Sequence, residues 1–257
     1  MEEELVRVYS MFDVNDRVKC VVLTGAGTIF CAGADLDVGF EAQNESAREG
    51  EHTDGVTLAI HYCSRPTIAA INGLAVGRGI TMTLPAAIQL ASSTAKVGFV
   101  FSRRGIVTEA CSSYFLPRLI GLSRVMHLTT TGSVYPTSHP LLNDLFSKIL
   151  PTPGTTVARA LELADDIAKN TSIVSTSLVR AMMHYGSDIA EGAHLLESRL
   201  LAGLFESKDN NEGVKGFFRR GRPGSVQRCR MMRLVCIPCG NLNVANTLKT
   251  SKTKSKL

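Results

Sequence analysis

Two glycine-rich turns limit what this chain can fold into. The first, Phe30-Cys31-Ala32-Gly33-Ala34-Asp35-Leu36, follows the apolar run Cys20-Val21-Val22-Leu23-Thr24. The second, Ile71-Asn72-Gly73-Leu74-Ala75-Val76-Gly77-Arg78-Gly79, grows out of Thr67-Ile68-Ala69-Ala70-Ile71. Short apolar runs closed by glycine read as buried strands, and each turn here leads into a helical stretch. A pair of such turns can offer two backbone N–H groups to one oxygen, which is what a developing oxyanion needs.

At 257 residues, 44% of them hydrophobic, the chain can bury one good core, with or without a small appendage. No apolar run is long enough to span a bilayer, and the opening Met1-Glu2-Glu3-Glu4 is too acidic for a secretory signal. Seven scattered cysteines read as reduced thiols rather than a disulfide framework. The formal charge of +5 conceals an asymmetry. Ten of the 28 basic residues and no acids lie between Arg219 and Leu257, leaving 18 bases against 23 acids, a net −5, in the rest.

Along the chain the pattern predicts a helix over Glu4 to Phe12, the first strand, and a polar loop over Glu41 to Asp54. A helix over Val56 to Tyr62 follows, ending before Arg65-Pro66. Gly79 to Ala91 reads as a nearly all-apolar buried helix, kinked or broken at Pro85. Lys96 to Phe101 reads as a strand, and Ala110 to Gly121 as a helix. Amphipathic helices are expected at Val157 to Asn170, Thr176 to Tyr185 and Ala190 to Phe205. Strands alternating with helices, followed by helices alone, imply an α/β core with a helical C-terminal subdomain. The expected divisions are 1–150 for the core, 151–223 for the helical subdomain and 224–257 for a basic, mostly disordered tail.

Several blocks in this order, VVLTGAGTIFCAGADL, RPTIAAINGLAVGRG, AKVGFVFSRRGIVTEACSSYFLPRLIG, HLTTTG and FESKDNNEGVKGFF, resemble the crotonase superfamily of enoyl-CoA hydratases and isomerases. The resemblance runs from about Val21 to Pro223. It implies a spiral of ββα units, a C-terminal trimerisation subdomain and acyl-CoA thioesters as substrates, with coenzyme A as part of the substrate and no separate cofactor or metal. It places the thioester oxygen between the N–H of Ala34 and the N–H of Arg78, with Ala32, Gly33, Asp35, Leu36, Gly77 and Gly79 shaping the binding site. Gly33 and Gly77 would relax the backbone before each donor, and the dipole of the helix opened by Arg78 would favour negative charge. Two departures stand out. The family's first β-hairpin is not seen ahead of the opening helix, and the middle position of the second turn is Arg78 where the family commonly has glycine.

Hydratases of the family carry two glutamates around a water. The matching positions here are Thr81 and the neighbourhood of Phe101, so both carboxylates are missing. Glu109, in Ile106-Val107-Thr108-Glu109-Ala110-Cys111, instead matches the single carboxylate of peroxisomal-type 3-enoyl-CoA isomerases, with fungal members the nearest in character. One acid suits a proton shuttle, and Ile106, Val107, Phe99 and Leu116 are expected to surround it with apolar groups. The competing reading makes Glu109 an N-terminal cap of the next helix.

The chain ends in Ser255-Lys256-Leu257, a peroxisomal address read by an import receptor. Cys229, Cys236 and Cys239 lack the second ligand pair of a zinc site, and His127, His139, His184 and His194 show no ligand spacing. A nucleic-acid role for the basic tail has little aromatic support. The expectation is therefore a peroxisomal enoyl-CoA isomerase, with hydratase second, acting in β-oxidation or in fatty-acid-derived toxin or siderophore metabolism. It would assemble as a trimer or hexamer without membrane insertion. The alternatives are a catalytically weak or inactive crotonase-fold acyl-CoA-binding or scaffold protein and a crotonase with a nucleic-acid-binding basic tail.

Overall fold

The structure, a computed structural model, describes residues 2–33 and 55–218. The polar loop, the basic tail with its cysteines, and Ser255-Lys256-Leu257 lie outside the described residues. The chain alternates between two sheets. Strands β1 (Val21–Thr24), β3 (Thr67–Ile71), β5 (Ile88–Ser92) and β8 (Lys148–Leu150) form a parallel sheet in that order. Strands β2 (Ile29–Cys31), β4 (Leu74–Val76), β6 (Lys96–Gly98) and β7 (Val134–Pro136) form the second, in which only β7 runs antiparallel. From β1 to β6 consecutive strands thus fall in different layers, and each glycine turn lies where the chain passes between or leaves them.

All five residues of β3 are buried, as expected for a central parallel strand covered on both faces. On one face Ile68, Ala70 and Leu90 pack with Ala160 of α6 (Pro153–Asn170). On the other, Ala69, Ile71, Ile80, Phe99 and Leu116 belong to the main core. Tyr9 of α1 (Glu2–Val14) and Ile60 of α2 (Gly55–Tyr62) join that core, and these two helices pack on each other.

Three expectations are corrected. The helix over Gly79 to Ala91 is a single turn, α3 (Arg78–Thr81), and Ile88–Ser92 is strand β5. Pro85 prevents a continuous helix, and a buried parallel strand is as uniformly apolar as a buried helix. The strand over Lys96 to Phe101 stops at Gly98, and Phe101–Arg104 is a 3₁₀ turn. The helix over Ala110 to Gly121 starts at Ser112, because Ala110 and Cys111 adopt left-handed φ values of 55° and 53°. α4 (Ser112–Ile120) is followed by α5 (Leu122–Thr131), divided from it by Gly121 at φ 81°.

The last part is helical: α6, α7 (Ile173–Tyr185), α8 (Ala190–Leu204) and α9 (Lys208–Phe218). A Thr152–Thr155 capping box and Pro153 at the first turn start α6. None of the described residues of α8 is buried.

Candidate active site

The pairing of β2 with β4 brings the two glycine turns together. These strands run parallel, with Ile29 opposite Leu74 and Cys31 opposite Ala75, so both end at the same edge. Gly33, at φ 93°, lies against the second turn. A Cβ built on it would stand 2.8 Å from the Val76 carbonyl oxygen and 3.9 Å from the Arg78 nitrogen. Gly79 is as close to the first turn, since its Cβ would fall 2.2 Å from the Cys31 oxygen. Side chains at either position would force the turns apart.

Arg78 is the first residue of α3, so no carbonyl one turn back in the helix can accept from its N–H. Gly77, at φ 56°, sets this geometry: its N–H donates to Gly98 O at 2.9 Å, and its carbonyl accepts from Ile80 and Thr81, both at 3.1 Å. The Thr81 hydroxyl adds a bond to the same carbonyl at 3.3 Å. A one-turn helix carries little macrodipole, so the amide itself, rather than the dipole of a long apolar helix, is what the second turn offers. Ala32 and Gly33 are described, whereas Ala34, Asp35 and Leu36 lie outside the described residues.

Asn72 ties the loop after β1 to the turn after β3. Its amide accepts from Gly25 N at 3.1 Å and donates to Gly25 O at 3.0 Å and Gly27 O at 3.2 Å. The sequence showed Asn72-Gly73 only as a turn, with no sign of the partner loop 47 residues away.

Glu109 does not sit in an apolar pocket. The Arg78 guanidinium grips it with two bonds, Nε to Oε1 at 3.2 Å and Nη2 to Oε2 at 2.9 Å. Arg78 Nη1 also pairs with Oε1 of Glu2. Of the expected apolar surroundings, Phe99 and Leu116 are buried in the core, whereas Val107 is 85% and Ile106 40% exposed. Burial opposes the Arg78 charge, but the bonds from Glu109 and Glu2 outweigh it and push its pKa above the ordinary value. The capping alternative also fails for the side chain, because α4 is preceded by Cys111 with no side-chain capping bond. Glu109 contributes only its main-chain oxygen there, accepting from Ser112 N at 3.0 Å.

Thr81 is fully buried, and the Phe101 ring approaches Gly77, its Cε1 3.9 Å from where a Cβ on that glycine would stand. The positions expected from the sequence to match the hydratases' glutamates, Thr81 and the neighbourhood of Phe101, thus hold a hydroxyl turned onto the backbone and an aromatic ring. A shallow groove of about 450 Å³ runs alongside, lined by Phe101, Ser102, Ile106, Val107, Thr108 and Thr129 among others. Among the described residues no group of three His, Cys, Asp or Glu is placed to hold a metal. His127 bonds the Tyr135 hydroxyl at 3.1 Å and His139 accepts from Leu141 N at 3.2 Å.

Two interleaved sheets with paired glycine turns and a carboxylate beside one of them define the crotonase class of fold. Residues 1–227 match the family described as enoyl-CoA hydratase/isomerase, and the chain belongs to that family. An enoyl-CoA hydratase of Alternaria alternata is 48% identical over 224 residues, covering 87% of this chain and 76% of that one. A mevalonyl-coenzyme A hydratase of Beauveria bassiana is 29% identical over 239 residues, covering 87% and 84%. Among solved structures, a probable enoyl-CoA hydratase/isomerase from Mycobacterium abscessus superposes with a TM-score of 0.78 at 28% identity, covering 88% of each chain.

Proposed function

We propose that this protein isomerises a 3-enoyl-CoA thioester to the 2-enoyl form through an enolate held by the N–H groups of Ala34 and Arg78. Glu109 is the acid/base. Its carboxylate takes a proton from C2, the electron pair moves onto the thioester oxygen as a dienolate, and the acid returns the proton at C4. The double bond between C3 and C4 shifts to between C2 and C3, and nothing is consumed, so no metal or redox cofactor is called for. The observation that carries this reading is Glu109, held 2.9 Å from the side chain of the residue whose amide opens α3. The groove beside Thr108 suits an acyl chain.

Hydration is the second reading, favoured because the Alternaria relatives bear the name hydratase. It would require water to be positioned by Glu109 alone, without either of the family's two glutamates. Ser255-Lys256-Leu257 supports a peroxisomal location through an import receptor. The similarity to fungal enoyl-CoA and mevalonyl-coenzyme A hydratases supports specialised acyl-group metabolism, of toxin or siderophore type, alongside β-oxidation.

The test is a panel of 3-enoyl-CoA and 2-enoyl-CoA thioesters with the wild type and Glu109→Gln. Isomerisation by the wild type, lowered about 10²- to 10⁴-fold in the variant, is expected. Hydration that persists in Glu109→Gln, with isomerisation never seen, overturns the reading.

A further inference from the structure

We propose that the Arg78 side chain is a positioning residue for Glu109, and that Glu2 steadies Arg78 from the other side. The residue whose main chain opens the oxyanion turn would then also fix the proton-carrying group. This rests on the acid/base role proposed above and deepens it.

Glu109 lacks the usual means of being held still. It stands in an irregular turn just ahead of two consecutive left-handed residues, its side chain is 26% exposed, and the neighbouring Val107 points largely into solvent. A glutamate so placed has several rotamers open to it. The fork of the guanidinium removes that freedom, because two parallel bonds fix the plane of the carboxylate as well as its distance. Each carboxylate oxygen has a second lone-pair direction, so the pairing leaves room for a substrate proton.

Arg78 is held in turn. Its side chain is only 10% exposed, and a buried guanidinium needs partners on every side. Nε and Nη2 go to Glu109, and Nη1 goes to Glu2 at the start of α1. The chain Glu2, Arg78, Glu109 therefore links the first helix, the oxyanion turn and the acid. A lysine at position 78 could neutralise charge but not set the carboxylate plane.

Arg78→Gly tests this, since glycine keeps the backbone N–H and removes only the side chain. With a thioester turned over by the wild type, kcat is expected to fall about 30- to 100-fold, the scale of a slightly misplaced catalytic group. KM should stay within about threefold, as the oxyanion amide and groove remain. Guanidinium ion at tens of millimolar should restore part of kcat in Arg78→Gly, methylammonium should not, and Arg78→Gly/Glu109→Gln should show no rescue. Glu2→Gln should lower kcat by a smaller factor, roughly threefold to tenfold. Unchanged kcat in Arg78→Gly, or a loss that guanidinium does not relieve, overturns the proposal. Should that variant not fold, Arg78→Lys decides: a fall in kcat at constant KM supports the positioning role, and wild-type kcat overturns it. Failure of the wild type on every thioester would instead be failure of the proposed function.

Discussion

The carbonyl oxygen of Cys31 occupies the space into which a side chain on Gly79 would have to grow. The separation between that oxygen and a Cβ at Gly79 would be 2.2 Å, and the Cys31 carbonyl carbon would follow at 2.9 Å. Both obstacles are main chain, so no rotamer change relieves them.

Gly79→Ala is therefore expected to destabilise the fold by about 2–3 kcal/mol, the upper range for overpacking. It should also abolish thioester turnover, because the turns separate together. Gly203, in α8, offers the contrast, with nothing within 4 Å of its added Cβ. Gly203→Ala should stabilise by roughly 0.5–1 kcal/mol through helix propensity. Urea unfolding of the two variants checks both signs, and a neutral Gly79→Ala would refute the close approach of the turns.

Arg180 fastens the helical C-terminal part to the core. From α7 it donates to Cys63 O at 2.7 Å and Ile60 O at 2.8 Å, the open carbonyls at the end of α2. Burial of the guanidinium lowers its pKa. Arg180→Ala leaves those carbonyls unpaired and should cost about 2–4 kcal/mol. Hydrogen exchange should show the loss concentrated at the C-terminal end of α2 and in α7. A loss spread evenly over the chain would contradict the local role.

How much of this was legible in the sequence depended on range. The strands at Val21 and Thr67, the opening helix and the amphipathic helices from Val157 onward follow from local patterning, and the structure has them within a few residues. The stretch after Gly79 misled because Ile80, Leu84, Ile88 and Leu90 suit a helix or a central strand equally, and only the neighbours β3 and β8 decide for strand. Ala110 and Cys111 gave no warning of left-handed backbone, which glycine or asparagine would have given. The Arg78–Glu109 pair joins residues 31 apart and the Arg78–Glu2 pair residues 76 apart. No pattern within one element encodes such a meeting; the parallel placement of β4 and β6, after which Arg78 and Glu109 follow, and the packing of α1 bring it about.

Among the described residues, the C-terminal helices expose several large apolar side chains. Leu195 and Leu201 of α8 are more than half exposed, as are Phe205 beyond its end and Phe217 and Phe218 of α9. Exposed apolar side chains of this size suit an association surface, in keeping with the expected trimer or hexamer. Sedimentation velocity should give a species of at least three chains, and Leu195→Glu/Phe205→Glu should shift it to monomer with its helix content intact. A wild type that sediments as a monomer at micromolar concentration would exclude this surface as an interface.

His61 of α2 and His184 of α7 pack edge to face at 4.9 Å between ring centroids, beside Phe115 and Tyr185. Burial lowers the pKa of each to about 4, and repulsion from the Arg180 guanidinium adds to it, as does the His184 ring for His61. Unfolded, both would titrate near 6.5. Between those values the unfolded chain binds protons that the folded chain refuses, so stability falls as the pH falls. It is complete above about pH 6.5 and declines below that by roughly 1.4 kcal/mol per pH unit for each histidine, until about pH 4. Urea midpoints measured from pH 7.5 to 4.5 should drop accordingly, and His184→Phe should flatten the slope by about half. An unchanged slope in that variant would assign the acid sensitivity to other groups.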